Sequence, residues 1–257
     1  MVAFVATNEE KDPQFLYTKE VIAFLQKNGV TVSDKNLDMH GALHCKDTSF
    51  AIILGGDGTM LRHSHQAATQ GIPMIGINLG TLGFLTDAEK VDGFAALAKV
   101  ISGDFRVEKR LMLETCGKLA LNDVVLGSVG GLKTFKIYVN DCFWEEIRAD
   151  GIIVATPTGS TAYSLSAGGP ILIPDGQMMV VTPVCPHSLS SRPVVVGADD
   201  IVKISAGQNA KIILDGEECG ELVANEMITI KKSVHSAKII KTSPDRFHDI
   251  LKRKKLT

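Results

Sequence analysis

The hydrophobic pattern changes character partway along the chain. Residues 2–6 form a short apolar run, which reads as a strand. Tyr17, Val21, Phe24 and Leu25 then recur at helical spacing, and Asn28-Gly29 predicts where that helix stops. Residues 50–54 are a second apolar run, ending abruptly in Gly55-Gly56-Asp57-Gly58. Thr59 to about Gln70 reads as a helix closed by Gly71, and residues 74–77 as another strand. Phe94, Leu97, Ala98 and Ile101 make one more helical face, which Gly103 ends. Strands alternating with helices predict βαβ units and a mostly parallel sheet.

Beyond about Asp104 the helical spacing fades. Short β-rich runs follow at 119–126, 134–139, 142–147, 152–155, 178–184, 201–205, 211–214 and 227–231. Turn residues separate them, notably Asn140-Asp141 and Asp215-Gly216. This half reads as an antiparallel, sandwich-like β domain. At the end, Ser243-Pro244 has the form of an N-cap and first helical residue, and Phe247, Ile250 and Leu251 share one helical face. That apolar face needs a partner surface. The expected fold is therefore an α/β domain with a parallel sheet, residues 1–102, rejoined by the C-terminal helix, 243–257, with an all-β domain of residues 103–242 between.

Composition narrows the function classes. Of the 257 residues, 45% are hydrophobic and 22% charged, the profile of a globular chain. The 27 basic and 29 acidic residues nearly balance, which leaves no strong attraction to nucleic acid or an anionic membrane. Aromatics at 5% argue against a protein that stacks single-stranded bases. The five cysteines, Cys45, Cys116, Cys142, Cys185 and Cys219, contain no C-x-x-C pair. A disulfide framework or structural zinc site is not expected, and a reducing cytoplasm fits best. The N-terminus lacks the basic start of a secretory signal. Residues 151–174 carry no charge, but Pro157, Pro170, Pro174 and several glycines exclude a lipid-buried helix.

The sharpest local signal is Leu54-Gly55-Gly56-Asp57-Gly58-Thr59, a buried strand entering a glycine-rich turn around one acid and then a helix. Glycines let backbone N–H groups approach a phosphate closely, and Asp57, held in that turn, can accept a proton or face a metal. A plain tight turn is the alternative. No G-K-[ST] follows, so this is not a P-loop. The second signal is the uncharged stretch itself. Hydroxyls and backbone groups there can meet a sugar, base or phosphate deep in a cleft without burying a countercharge. Thr161, Ser164 and Ser166 are its candidate polar contacts, and Tyr163 its candidate flat ring. His63 and His65 do not share a helix face, and no residue stands out as a metal ligand.

The G-G-D-G-T segment resembles a signature of several phosphotransferases: NAD kinases, diacylglycerol-type lipid kinases and phosphofructokinases. Residues 150–171 resemble the long glycine- and hydroxyl-rich motif of the NAD kinases in particular. Asn78-Leu79-Gly80-Thr81-Leu82-Gly83-Phe84-Leu85, Leu121-Asn122-Asp123-Val124 and the run from Thr182 to Leu189 agree in order and spacing. The likeness is close from about Phe50 to Pro193.

The resemblance implies ATP-dependent phosphorylation of NAD to NADP. It makes Asp57 the general base for the 2′-hydroxyl of the adenosine ribose and places Gly58 against the nucleotide. Asn122 and Asp123 match an Asn-acid pair that binds the nucleoside, although the family usually has Glu at the second position. Asp150 matches an acid on the nicotinamide side, and Thr161, Ala162, Tyr163, Ser164, Leu165 and Ser166 match the nucleotide-binding stretch. Arg62, Lys133 and Arg148 are the candidate countercharges for phosphate. Glu217 stands where relatives often have Gln, which puts a substrate contact there in doubt. Mg2+ would travel with ATP, and a homo-oligomer, tetramer or dimer, is expected. The rival readings are a lipid or sugar kinase and a dinucleotide-sensing protein without turnover. The basic tail 252–255 reads as a complement to the helix dipole.

Overall fold

The structure is a computed structural model that describes residues 1–33, 47–81, 83–127, 131–188, 190–244 and 247–256. Expectations at Cys45, Leu82 and Leu189, and residues 245–246 of the last helix, lie outside the described residues, while Ser243 and Pro244, expected as its N-cap and first helical residue, are described and not helical. The chain divides into two units, Met1–Lys109 with Ala237–Thr257, and Arg110–Ser236.

The first unit opens with β1 (Val2–Thr7), α1 (Leu16–Lys27), β2 (Thr31–Val32), β3 (Phe50–Gly55), α2 (Asp57–Gln70), β4 (Met74–Asn78), β5 (Ala88–Glu89) and α3 (Gly93–Ser102). The strands lie in the order β2-β1-β3-β4, all parallel, with β5 on the far edge of β4. Every residue of β3 and β4 is buried, as expected of parallel strands covered on both faces. Gly71 and Gly103 close α2 and α3 in the left-handed region, at φ +70 and +81. Ala98, expected on the buried face of α3, is exposed; Ala96 and Val100 are buried instead.

β6 (Arg106–Thr115) crosses into the second unit at Arg110, and that unit continues with β7 (Lys118–Ala120), β8 (Asp123–Gly127), β9 (Lys133–Val139), β10 (Cys142–Ala149) and β11 (Gly151–Ala155). The short helix α4 (Tyr163–Ser166) follows. Then come β12 (Met178–Val184), β13 (Val194–Gly197), β14 (Val202–Ala206), β15 (Ala210–Leu214), β16 (Glu217–Leu222) and β17 (Met227–Lys241). One antiparallel sheet runs β13-β12-β11-β8-β15-β16, and a second carries β10-β9-β14-β17. Their inner faces share a core, with Phe135, Ile137 and Ile204 from one sheet and Leu126, Val154 and Leu214 from the other. This is the sandwich that the strand spacing predicts. Val125, Ile153 and Val180 point the other way and pack with Leu172, so the uncharged stretch folds back over the outer face of the first sheet. It makes β11 and short helical turns, and among the described residues no helix is long and apolar enough to cross a membrane.

Several strand expectations change. Residues 119–126 are two strands, β7 and β8, broken at Leu121-Asn122. β17 runs to Lys241, ten residues past its expected end, and its last part pairs Ile239 with Met74 of β4. β6, β13 and β16 were not expected; β6 begins Arg-Val-Glu-Lys-Arg and β16 is Glu-Glu-Cys-Gly-Glu-Leu, too polar to register as apolar runs. The Asn140-Asp141 and Asp215-Gly216 turns do close hairpins, with both residues of each pair at positive φ.

The chain re-enters the first unit at Ala237, within β17, and ends in α5 (Phe247–Arg253), whose Phe247, Ile250 and Leu251 are buried. The Phe247 ring meets Phe84 at 5.9 Å. The C-terminal helix thus joins the α/β unit, as its apolar face requires.

His63, on α2, is only 3% exposed and packs edge-on to Phe4, and its Nε2 has no partner. Burial, with the nearby Arg62 charge second, lowers its pKa to about 4. The native imidazole therefore binds fewer protons than the unfolded one between the ordinary value near 6.5 and about 4. Stability is present above that window and is lost as pH falls through it. We expect His63→Leu to gain on the parent as pH falls from 7 to 4, by about 3 kcal/mol in the first unit's transition. Parallel stability curves in urea titrations would refute this.

Candidate active site

β3 delivers its buried run into Gly55, Gly56 caps α2 in an extended conformation, and Asp57 is the first residue of that helix. The helix starts two residues before its expected start, so Asp57 stands on a helix N-terminus and not within a loop. Its carboxylate accepts two backbone hydrogen bonds, Oδ2 from Phe84 N at 2.7 Å and Oδ1 from Leu85 N at 2.9 Å. The segment after β4 is thereby tied to the start of α2. A Cβ on Gly83 would overlap the Asp57 carboxylate, so only glycine allows this approach. Gly55 is equally constrained by the Thr59 hydroxyl. Asn78, the last residue of β4, shapes the same segment: its Nδ2 donates to Thr81 O at 2.5 Å, and its Oδ1 accepts from Gly80 N at 2.7 Å.

A cavity of about 400 Å³ opens beside this corner, lined by Gly56, Asp57, Gly58 and Thr59 and by three cations, Lys11, Arg62 and Lys254. Three positive charges around one carboxylate, at a helix N-terminus, make a cradle for a polyanion. The sequence reading found Arg62 but missed Lys11 and Lys254. The Lys11 ammonium lies so close that a Cβ on Gly56 or Gly80 would stand 3.1 or 3.2 Å from it.

The second unit has its own cavity, about 380 Å³, lined by Asn122, Asp123, Ala162, Tyr163, Asp215 and Gly216 together with Val125 and Ile213. Asp215 organises it. Its carboxylate accepts from Leu121 N (2.7 Å), Asn122 N (2.7 Å) and Asp123 N (3.1 Å), which draws Leu121-Asn122 out of the strand ladder. From the sequence Asp215 read only as a turn residue. Thr156 holds the same strip from the other side, donating to Leu121 O at 2.6 Å, and a Cβ on Gly159 would overlap the Asn122 carbonyl. Asp123 is 4% exposed; burial first, and the Asp215 charge second, raise its pKa to about 7.

The remaining sequence candidates fall into three settings. Tyr163 and Ala162 line the second cavity, and Tyr163 is 47% exposed. Thr161 donates to Thr158 O at 3.1 Å, and Ser164 shares a 2.9 Å hydrogen bond with Thr182, so both hydroxyls serve the loop's own packing. Leu165 is half-buried and Ser166 exposed. Lys133 and Arg148 lie at the paired ends of β9 and β10, where Lys133 faces Ala149 and Arg148 faces Thr134. Asp150 is exposed just beyond, its backbone N–H bonded to Val184 O. Glu217 opens β16 next to the Asp215-Gly216 turn, exposed to solvent.

One cavity suits a chain of phosphates, with an oriented carboxylate on its wall. The other suits a nucleoside, with an amide, an acid and an aromatic ring. These are the two kinds of pocket that a nucleotide-dependent phosphotransferase needs. Sequence profiles refine this: the ATP-NAD kinase N-terminal domain matches residues 5–105 and the ATP-NAD kinase C-terminal domain residues 121–242. The chain belongs to the ATP-NAD kinase family. The NAD kinase of Caldanaerobacter subterraneus subsp. tengcongensis is 38% identical over 98% of both chains. That of Lachnospira eligens is 35% identical, again over 98% of each. Among solved structures, an NAD kinase from Archaeoglobus fulgidus in complex with ATP superposes with a TM-score of 0.86 at 27% identity, covering all of both chains. The yeast NADH kinase complexed with NADH shares the fold, with a TM-score of 0.80 at 23% identity over 98% of this chain and 86% of that one.

The raised pKa of Asp123 has a measurable sign. Its native carboxyl holds a proton that the unfolded one loses above about pH 4, so the second unit loses stability as pH rises from about 4 to about 7. We expect Asp123→Asn to be more stable than the parent at pH 8 by about 2–4 kcal/mol, with the gain gone by pH 4. Thermal melts at the two pH values check this; a gain that is the same at both would refute it.

Proposed function

We propose that the chain transfers the γ-phosphate of ATP to the 2′-hydroxyl of the adenosine ribose of NAD, giving NADP. The observation that carries the reading is the Asp57 carboxylate, aimed by two backbone N–H groups on the wall of a cavity rich in positive charge. Each carboxylate oxygen that accepts one N–H keeps lone-pair capacity for another proton. In our reading Asp57 accepts the hydroxyl proton as the oxygen attacks the γ-phosphate. Lys11 and Arg62 offset the charge of the triphosphate, and the backbone at Gly58 lies against it. Positioning and charge stabilisation then supply most of the catalysis.

Asn122 and Asp123 bind the nucleoside, with the Tyr163 ring against the adenine and the 161–166 segment around it. Asp150 reads the nicotinamide half, and Lys133 and Arg148 supply charge for the pyrophosphate. Mg2+ enters with ATP. Among the described residues no group of three or more His, Cys, Asp or Glu side chains is placed to hold a metal. The fit is to a metal ligated mainly by phosphate and water, which neutralises charge on the transferring group. We also read the protein as a cytoplasmic homo-oligomer, a dimer or tetramer. The free thiols of Cys116, Cys142 and Cys185, all exposed, support a reducing compartment.

Asp57→Asn keeps the side chain's size and removes the proton acceptor, and it also gives up one of the two backbone ties, since its Nδ2 cannot accept from Phe84 N or Leu85 N. We expect kcat to fall about 10²–10⁴-fold with NAD binding retained. Near-native kcat at saturating substrates would reduce Asp57 to a structural tie. Asn122→Ala and Tyr163→Ala are expected to raise KM for NAD more than for ATP, with kcat little changed. An equal rise for both substrates would remove these residues from the NAD site.

A further inference from the structure

Phe84 and Leu85, which orient Asp57, and the residues just after them are held by the end of the chain. Phe84 gives its backbone N–H to Asp57, and its ring lies against Phe247 of α5 at 5.9 Å. The Lys254 ammonium sits over the Phe84 ring, 5.4 Å from its centre, and also lines the phosphate-sized cavity. The next residues are held as closely. Lys241 donates to Leu85 O at 3.4 Å and to Thr86 O at 3.1 Å. The buried Asp87 carboxylate accepts from Thr242 N (3.0 Å), Thr242 Oγ1 (2.6 Å) and Ser243 Oγ (3.4 Å). Arg253 reaches Glu89 at 3.2 Å.

These contacts exceed what is needed to cover an apolar face. Ile250 and Leu251 are buried and serve that purpose. Phe247, Lys241 and Thr242 converge instead on residues 84–87, the two that hold Asp57 and the two that follow. Lys254 is exposed to solvent, so its charge is available to a ligand in the cavity beside it. A lysine stem over an aromatic ring keeps its ammonium in one region at small cost.

We infer that the C-terminal segment is part of the phosphoryl-transfer site. In this assignment Phe247 is a positioning residue that sets the Phe84 backbone and hence the Asp57 carboxylate, and Lys254 is a ligand for the phosphates of the donor. The inference rests on the kinase reading above. It adds a specific division of labour: loss of the Lys254 charge weakens the hold on ATP, and loosening of Phe247 slows the chemical step.

The test uses the purified full chain, with initial rates at varied ATP and at varied NAD, and melting temperatures for each variant. Lys254→Met keeps the stem and removes the charge; we expect KM for ATP to rise about tenfold, KM for NAD to stay within about twofold, and Lys254→Arg to restore binding. Phe247→Leu, assayed well below its melting temperature, is expected to lose about tenfold in kcat with KM for NAD unchanged, because small misplacements of a reacting group are costly. Lys252→Met, on the exposed side of α5, is the control for charge alone. An unchanged KM for ATP in Lys254→Met, or a kcat loss in Phe247→Leu no larger than its unfolded fraction, would overturn the inference. Asp57→Asn on the same bench separates the two levels. Native turnover there sinks the kinase mechanism; an inactive Asp57→Asn beside native-like helix variants sinks only the role of the C-terminal segment.

Discussion

The Asp57 carboxylate ties together two loops that would otherwise end independently. β3 and β4 are adjacent and parallel, and their register sets Gly55 opposite Asn78, so both strands finish at the same level. Loops leaving the carboxyl ends of neighbouring parallel strands are where such sheets bind ligands. Here one loop becomes a helix at once and the other turns back to give it two N–H groups. A hydrogen bond to an ionised acceptor is stronger than one between neutral partners. The pair therefore fixes the floor of the cavity lined by Lys11, Arg62 and Lys254 and the direction of the Asp57 carboxylate in its wall. It also dictates composition nearby, since Gly83 has no room for a side chain.

The second unit uses the same device on a different frame. Asp215, in a two-residue hairpin turn with φ +52, spends its carboxylate on three consecutive backbone N–H groups at 121–123. In each unit a carboxylate shapes the backbone of a neighbouring loop, and the ligand-facing groups follow from that shape. The hydroxyls of the uncharged stretch have a related role. Thr156 and Ser160 accept from Gly159 N and Leu172 N within the stretch, and Thr156 and Ser164 also tie it to Leu121 O and Thr182, which is how a chain without charges can lie buried over a sheet.

Much of this was legible in the residues. Continuous apolar runs at β3 and β4 mark strands covered on both faces, and the glycine-rich corner after β3 is where the phosphate-sized cavity lies. The turns at Asn140 and Asp215 were legible because their chemistry is local. What stayed hidden depends on distant partners. β6 and β16 are polar strands, held by neighbours whose identity no local pattern carries. Lys11 and Lys254 are far apart in sequence and in no recognisable motif, and only the folded unit brings them to one cavity. The long run at 119–126 concealed a break because the group that makes it, Asp215, lies about ninety residues away.

Two buried groups, His63 and Asp123, have opposite effects on proton exchange. In the window between about pH 4 and 6.5, unfolding lets His63 pick up a proton and makes Asp123 give one up. His63 belongs to the first unit and Asp123 to the second. Between these two groups, the proton gained offsets the proton lost. Mild acid becomes a selective reagent, loosening one half of the molecule while tightening the other.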